Sequence, residues 1–312
     1  MNNRKKIFIT GGAGFLGKHL VDYYYPKYEI TIYSRDEAKH YFIKKKYPNI
    51  NCIIGDVAHF DLMNRAAQNH QFGIFAASLK QIEAVDQNVE VSVNTIITGA
   101  LNSRKVAEDN NFEAACFISS DKSRAATTLY GAMKFVGGES FIVNAEKSNV
   151  RLSTAIYGNV LNSTGSIIPL IWDSIINNYE LTLYSDKMTR FMIEMNEAVS
   201  VIEESLKLTG YNVIPNLKSF LVKDLFDLYK DMFGLKYIVG KPRISEKIHE
   251  IMIAKEEMPR TQFNEQKNLF FMHYHDLSPT KIPYEDFSSV NVVVSKDELN
   301  EILKKYNYFK PH

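Results

Sequence analysis

The sequence predicts an α/β fold, a doubly wound parallel sheet followed by a smaller C-terminal lobe, and three observations predict it. Short runs rich in β-branched and aromatic residues alternate with longer amphipathic runs through the first half. That is the rhythm of parallel strands joined by crossover helices. A glycine-rich segment, Thr10-Gly11-Gly12-Ala13-Gly14-Phe15-Leu16-Gly17, links the first short run to the first long one. Beyond about Tyr157 the alternation lapses. The chain accordingly divides into residues 1–160, which build the sheet, and 161–312, a mainly separate lobe from which some segments return to the first core.

Taken in order, strands are expected at 6–10, 29–33, 51–54, 73–76, 115–119 and 151–155. Between them apolar residues recur at helical spacing over 14–25, 36–46, 61–69, 91–110 and 130–147. Three further helices are expected at 166–178, 197–208 and 222–232, whereas the last 60 or so residues, aromatic and charged, give no reading.

The 312 residues are 45% hydrophobic and 23% charged, ordinary for a globular protein with a sizeable core. A net charge of +1 predicts no pull toward nucleic acid or acidic membranes, and Lys44-Lys45-Lys46 reads as a solvated helix end. Cys52 and Cys116 lie in apolar strand-like runs and are expected as buried, reduced thiols. The N-terminus passes from a short polar lead into a strand, and no run approaches the roughly 18 apolar residues of a membrane helix. The chain is expected to be cytoplasmic, with neither a membrane nor nucleic acid as partner and with no metal site.

The glycine segment carries the first chemistry. Gly11, Gly14 and Gly17 let the backbone turn tightly, approach a pyrophosphate and pack helix on strand, while Phe15 and Leu16 open the helix whose N-terminus faces the phosphates. This is the fingerprint of a Rossmann dinucleotide-binding domain. The second strand ends Tyr33-Ser34-Arg35-Asp36, offering a hydroxyl and a guanidinium suited to a 2′-phosphate, which favours NADP over NAD; Asp36 leaves NAD open. Asp56 and Val57 are placed to meet the adenine, and Ala76, Ala77 and Ser78 the nicotinamide ribose.

The second chemistry follows the fifth strand. Ser119-Ser120-Asp121-Lys122 ends that strand, and Tyr130-Gly131-Ala132-Met133-Lys134 begins the next helix, with Tyr130 and Lys134 on one face. The Lys134 ammonium is expected to pull the Tyr130 pKa down and make the phenol an acid/base near neutrality. Ser120 can hold a substrate oxygen beside it. Asp121 and Lys122 are the unusual part: either a loop salt bridge, or an added acid and base that alcohol oxidation would not need and water elimination would.

Further motifs lie in order along the chain: Ala77-Ser78-Leu79-Lys80-Gln81, Tyr157-Gly158-Asn159-Val160-Leu161, Gly165-Ser166-Ile167-Ile168-Pro169, Met188-Thr189-Arg190-Phe191, and Arg243 with Glu246-Lys247-Ile248-His249-Glu250. Together with the two sites above, they resemble the extended short-chain dehydrogenase/reductases. Within these they are similar to the UDP-N-acetylglucosamine 4,6-dehydratases of the inverting, 5-epimerising kind. The resemblance implies that Tyr130, supported by Lys134, takes the sugar 4-hydroxyl proton as hydride passes from C4 to NADP⁺. Lys122 then removes the C5 proton and Asp121 protonates the departing 6-hydroxyl. Hydride returns to C6, and C5 is reprotonated on the opposite face. Retaining relatives tend to carry methionine at the position of Lys122.

The resemblance also places Asn94 as the residue that steadies the lysine and its relay water. It sets Asn159 near the pyrophosphate or the sugar, Arg190 and Arg243 facing the UDP phosphates, Lys80 near the sugar or its phosphate, and Glu246 either near the uridine ribose or as a plain helix N-terminal charge. It implies a homo-oligomer, a dimer through a four-helix bundle of 91–110 and 130–147 or a hexamer, although the same apolar faces suit packing on the sheet. This chain departs from the family at Phe75 (usually histidine), Ala126 and Thr128 (proline, asparagine), Ile156 and Thr164 (arginine), and at Ile244-Ser245 (proline, glycine). These departures leave the reaction type standing and the choice of nucleotide sugar open. Rival readings are a nucleotide-sugar 4-epimerase or 4-reductase, which shares Tyr130 and Lys134, and a non-catalytic NADP-binding regulator.

Overall fold

In the computed structural model, which describes residues 4–276 and 282–311, six strands form the heart of a parallel sheet. They are β1 (Lys6–Thr10), β2 (Glu29–Ser34), β3 (Asn51–Ile54), β4 (Phe72–Phe75), β5 (Ala114–Ile118) and β6 (Arg151–Ala155). Their spatial order is β3-β2-β1-β4-β5-β6. Chain direction across the sheet reverses between β1 and β4, so a crevice opens there at the carboxyl ends of the strands. The central strands are apolar on both faces, as a sheet covered by helices on both sides requires. Ile7 and Ile9 pack into one layer with Leu20, Val21 and Ile32, whereas Phe8 between them joins Tyr33, Phe75 and Phe141 in the other.

The sheet does not stop at β6. The strand Tyr211–Pro215 adds in parallel beside it, and the antiparallel pair Leu269–His273 and Thr261–Asn264 completes a nine-stranded sheet. These three strands come from beyond residue 160, so the later half of the chain supplies one whole edge of the dinucleotide sheet. The helix Met195–Ser205 also packs on this sheet through Ala198, Val199 and Ile202, whereas much of the remainder gathers around Trp172, Phe220, Tyr229, Leu299 and Leu303. The helix Lys296–Lys305, unread from sequence, closes this second core, and the Trp172 indole and Tyr229 hydroxyl both donate to the carbonyl of Tyr308, at 3.1 and 2.7 Å.

The helices on the sheet are α1 (Phe15–Tyr24), α2 (Glu37–Lys46), α3 (Phe60–Ala66), α4 (Ile82–Gln87), α5 (Val89–Val93), α6 (Gly99–Asp109) and α7 (Leu129–Ile142). The single helix expected over 91–110 is interrupted: Asn94–Thr98 form a π turn in which the Gly99 N–H donates to the Asn94 carbonyl five residues back. The extra residue rotates everything before the turn relative to α6. Cys116 is buried in β5, while Cys52 is only half-buried in β3, because β3 is an edge strand of the sheet. Among the described residues no helix is long and apolar enough to cross a membrane.

Candidate active site

The cleft above the strand ends has two parts. The first is a cavity of about 320 Å³ lined by Gly11, Gly14, Ser34, Arg35, Asp56, Val57, Ala76, Ala77 and Ser78, all expected from sequence, together with Lys39 and Thr95. Its floor is backbone brought very close. Gly11 has φ +67°, and a Cβ there would lie 2.9 Å from the Ala77 nitrogen; a Cβ on Gly17 would lie 2.4 Å from the Gly11 carbonyl oxygen. A chain that admits no side chain at these points can present bare N–H groups to a phosphate. At the far end, Asp36 caps α2 by accepting from the Lys39 N–H at 3.0 Å and pairs with the Lys39 ammonium at 2.7 Å. That engagement draws its carboxylate below the usual range. Lys39 was missed from sequence because a lysine on a helix carries no signature of its own; here it stands beside Ser34 and Arg35.

The second part, about 710 Å³, continues from Phe15, Leu16 and Gly17 past Ser120, Lys122, Tyr130 and Lys134 to Lys80 and Asn159. The end of β5 and the start of α7 build it. Thr128 caps α7, its Oγ1 accepting from the Gly131 N–H at 3.1 Å, which fixes Tyr130 and Lys134 one turn apart and facing the strand end. Lys134 is buried and donates to the Ile118 carbonyl at 2.9 Å; burial lowers its pKa to about 8. Tyr130 is not the low-pKa phenol that sequence suggested. Burial raises it to about 12, and the cation opposing that rise is Lys122, not Lys134. The expectation counted the neighbouring charge and left out desolvation, which acts on both members of the pair.

Asp121 and Lys122 are not a surface salt bridge. Asp121 is 0% exposed, and burial raises its pKa. Its Oδ1 accepts from the Ser120 hydroxyl at 2.8 Å and from Lys122 Nζ at 3.2 Å, while Oδ2 has no partner. Lys122 Nζ also donates to Asn159 Oδ1 at 3.1 Å and lies 3.6 Å from Glu250 Oε1. Despite its partial burial, these two carboxylates hold Lys122 above the ordinary lysine value. A carboxyl with a raised pKa and a lysine ammonium thus share one hydrogen bond at the floor of the cleft.

Four expected residues sit elsewhere. Asn94 is exposed and lines neither cavity; the π turn brings Thr95 into the cleft instead, and Lys134 is held by the Ile118 carbonyl. Arg190 is committed to the protein: Nη1 donates to the carbonyls of Thr189 (2.8 Å) and Ile248 (3.2 Å), Nη2 to Glu246 at 3.3 Å, and Nε faces Glu250 at 3.8 Å. Glu246 thereby serves Arg190 with one oxygen, leaving Oε2 buried and unpartnered. Arg243 lines neither cavity; it is stacked 4.2 Å over the Tyr184 ring and bridges Glu83 to the Tyr184 hydroxyl. Lys80 donates to the Thr164 carbonyl, at one of the positions where the family arginine is missing.

Sequence reading also missed Arg124, and it quoted Glu250 within a motif without giving it a role. Arg124 is fully buried two residues after Lys122, and its Nη1 lies 2.7 Å from both Glu139 and Glu257. Among the described residues no cluster of His, Cys, Asp or Glu has the arrangement of a metal site.

A Rossmann sheet extended by a second lobe, with Ser120, Tyr130 and Lys134 gathered at the strand ends beside a glycine cradle, defines an extended short-chain dehydrogenase/reductase. The chain belongs to the family described as polysaccharide biosynthesis protein, whose model matches residues 7–271. It is 31% identical to the UDP-N-acetylglucosamine 4,6-dehydratase (inverting) of Campylobacter jejuni, over 96% of this chain and 90% of that one. It is 28% identical to a UDP-glucose 4-epimerase of Rickettsia bellii, over 97% and 96%. The X-ray structure of Pen from Bacillus thuringiensis has the same fold, with a TM-score of 0.89, 24% identity and 98% coverage of both chains.

Proposed function

We propose that this chain is an NADP-dependent UDP-N-acetylglucosamine 4,6-dehydratase that inverts C5, a lyase working by internal redox. The observation that carries the reading is the buried Asp121–Lys122 pair beside Tyr130 and Lys134 in one cleft. A 4-epimerase needs the tyrosine and lysine but has no use for a second acid and base.

The glycine cradle at Gly11 and Gly17 fits a dinucleotide pyrophosphate, and Ser34, Arg35 and Lys39 fit a 2′-phosphate better than a bare ribose, because Asp36 is already engaged. When bound, the nicotinamide dinucleotide supplies a reversible hydride acceptor, taking hydride from C4 and giving it back at C6. Tyr130 accepts the 4-hydroxyl proton, with Lys122 as the cation that favours its phenolate, while Lys134 is anchored on the Ile118 carbonyl. Lys122, once it has passed its own proton to Asp121, takes as a free amine the C5 proton, which the 4-ketone has made acidic. Asp121, whose pKa burial raises and which then holds the proton that came from Lys122, passes it to the departing 6-hydroxyl so that water leaves. Asn159 steers Lys122, and Lys80 lies along the wall available to the sugar. The exposed apolar side chains Leu101 on α6 and Phe135 and Val136 on α7, helices joined through Arg104 to the Ser140 and Val143 carbonyls, support a homo-oligomer.

The test is proton NMR of the protein with UDP-N-acetylglucosamine and catalytic NADP⁺ in deuterated water. A C6 methyl signal, deuterium at C5 and L-arabino couplings are expected. A methyl with D-xylo geometry would leave the dehydratase but remove inversion; a 4-epimer without a methyl would establish the rival; no change would overturn the substrate.

A further inference from the structure

Glu250 belongs to none of the roles above, yet it is 4% exposed and sits at the floor of the reacting end. Its Oε1 lies 3.6 Å from Lys122 Nζ and 3.8 Å from Arg190 Nε, and its Oε2, which has no hydrogen bond, lies 3.8 Å from Lys247 Nζ. Three cations thus converge on one buried carboxylate. A buried charge that is not hydrogen-bonded on one side is held in place by its neighbours' charge, and here the neighbour with access to the cleft is Lys122.

We infer that Glu250 is a positioning residue that holds the Lys122 amine against Asp121 and Asn159 and stabilises the ammonium this amine becomes on taking up a proton. The inference rests on the dehydratase reading for its purpose but not for its geometry. At rest, Lys122 is an ammonium and Asp121 shares its proton across 3.2 Å. One proton moving from Nζ to the Asp121 carboxylate gives an amine and a carboxylic acid, with no net change in charge. Those are the two forms that elimination consumes. When Lys122 then takes the C5 proton, the positive charge reappears 3.6 Å from Glu250, in a site where such an interaction is strong. The groups facing Lys122 are Asp121, Glu250, Arg190 and Tyr130; those facing Glu250 are Lys122, Arg190 and Lys247. Burial presses Glu250 toward its neutral form, but the three cations outweigh it and keep its pKa below the usual value.

The experiment is pH-controlled reductive methylation of the folded, substrate-free protein, read per lysine by mass spectrometry, with Lys80 as the reference in the same cleft. At pH 9, Glu250→Gln is expected to label Lys122 about tenfold faster than wild type, since one pKa unit is a tenfold change in free amine. Glu250→Asp, which keeps the charge, is expected to stay within about threefold of wild type. Arg190→Gln, which removes a competing cation, is expected to slow Lys122 labelling, and it decides the matter should Glu250→Gln fail to fold. Unchanged Lys122 labelling in a folded Glu250→Gln protein, or faster labelling in Arg190→Gln, would overturn the inference whatever the substrate proves to be. With UDP-N-acetylglucosamine, Glu250→Gln should lower deuterium entry at C5 about tenfold and leave the appearance of reduced cofactor unchanged. If wild type processes no sugar while the labelling changes as expected, the dehydratase reading fails and the coupling stands.

Discussion

The two ends of the cleft are made of different materials. The dinucleotide end is backbone and small side chains, Gly11, Gly14, Ala76 and Ala77, with Gly11 and Gly17 set so close to backbone that a methyl group on either would collide. The reacting end is buried charge: Asp121, Lys122 and Glu250 within hydrogen-bond or ion-pair distance, ringed by Arg190 and Lys247. The first is therefore specified by volume and the second by electrostatics. A change that is harmless at one end should be damaging at the other, and that contrast can be tested from its strongest consequence downward.

Asp121→Asn keeps the shape of the reacting end and deletes its acid. Turnover is expected to fall on the order of 10²–10⁴-fold with dinucleotide affinity unchanged by titration calorimetry; a parallel loss of affinity would mean that the two ends are not separable. Lys134→Met should abolish turnover yet stabilise the protein at pH 7, by up to about 3 kcal/mol for a pKa held near 8 instead of 10.5. Because the folded state holds Lys134 below its ordinary value, unfolding takes up a proton between pH 8 and 10.5, and the wild-type deficit closes as pH rises through that window. Denaturant melts at pH 7 and pH 10 check the sign. Gly17→Ala, by contrast, adds only volume and should cost about 1–3 kcal/mol, read as weaker dinucleotide binding and a lower melting temperature. Smallest is Ala125→Gly: Ala125 has φ +44° in the loop after Lys122, and glycine there should gain about 0.5–1 kcal/mol without touching either end.

What was legible in the sequence follows the same division by range. The strands from Lys6 to Ala155 stand within a residue of where alternation put them, because each is a local run of apolar, β-rich residues. The strands Tyr211–Pro215, Thr261–Asn264 and Leu269–His273 were not expected; their place in the sheet is decided by partners dozens of residues away. The π turn escaped for a different reason, since one extra residue in a helix changes facing without changing composition, and it moved Thr95 into the position given to Asn94. Gly11, Ser120, Tyr130 and Lys134 were readable because a few residues of spacing define each motif. The pairing of Glu250 with Lys122, the burial of Arg124 and the inward engagement of Arg190 were not, because each depends on a charge brought from a distant segment into a buried site.

The Arg124 pairing bears on how the protein comes into being. Synthesis delivers the glycine cradle, the end of β5 and Glu139 early, but the second carboxylate on Arg124 comes from Glu257, 133 residues later. Until that residue leaves the ribosome, a guanidinium two residues from Lys122 must be buried with half its counter-charge or stay in water. Glu250 and the strands that finish the sheet arrive in the same late stretch. The nascent chain therefore has the means to grip a nucleotide well before it has the means to act on a sugar.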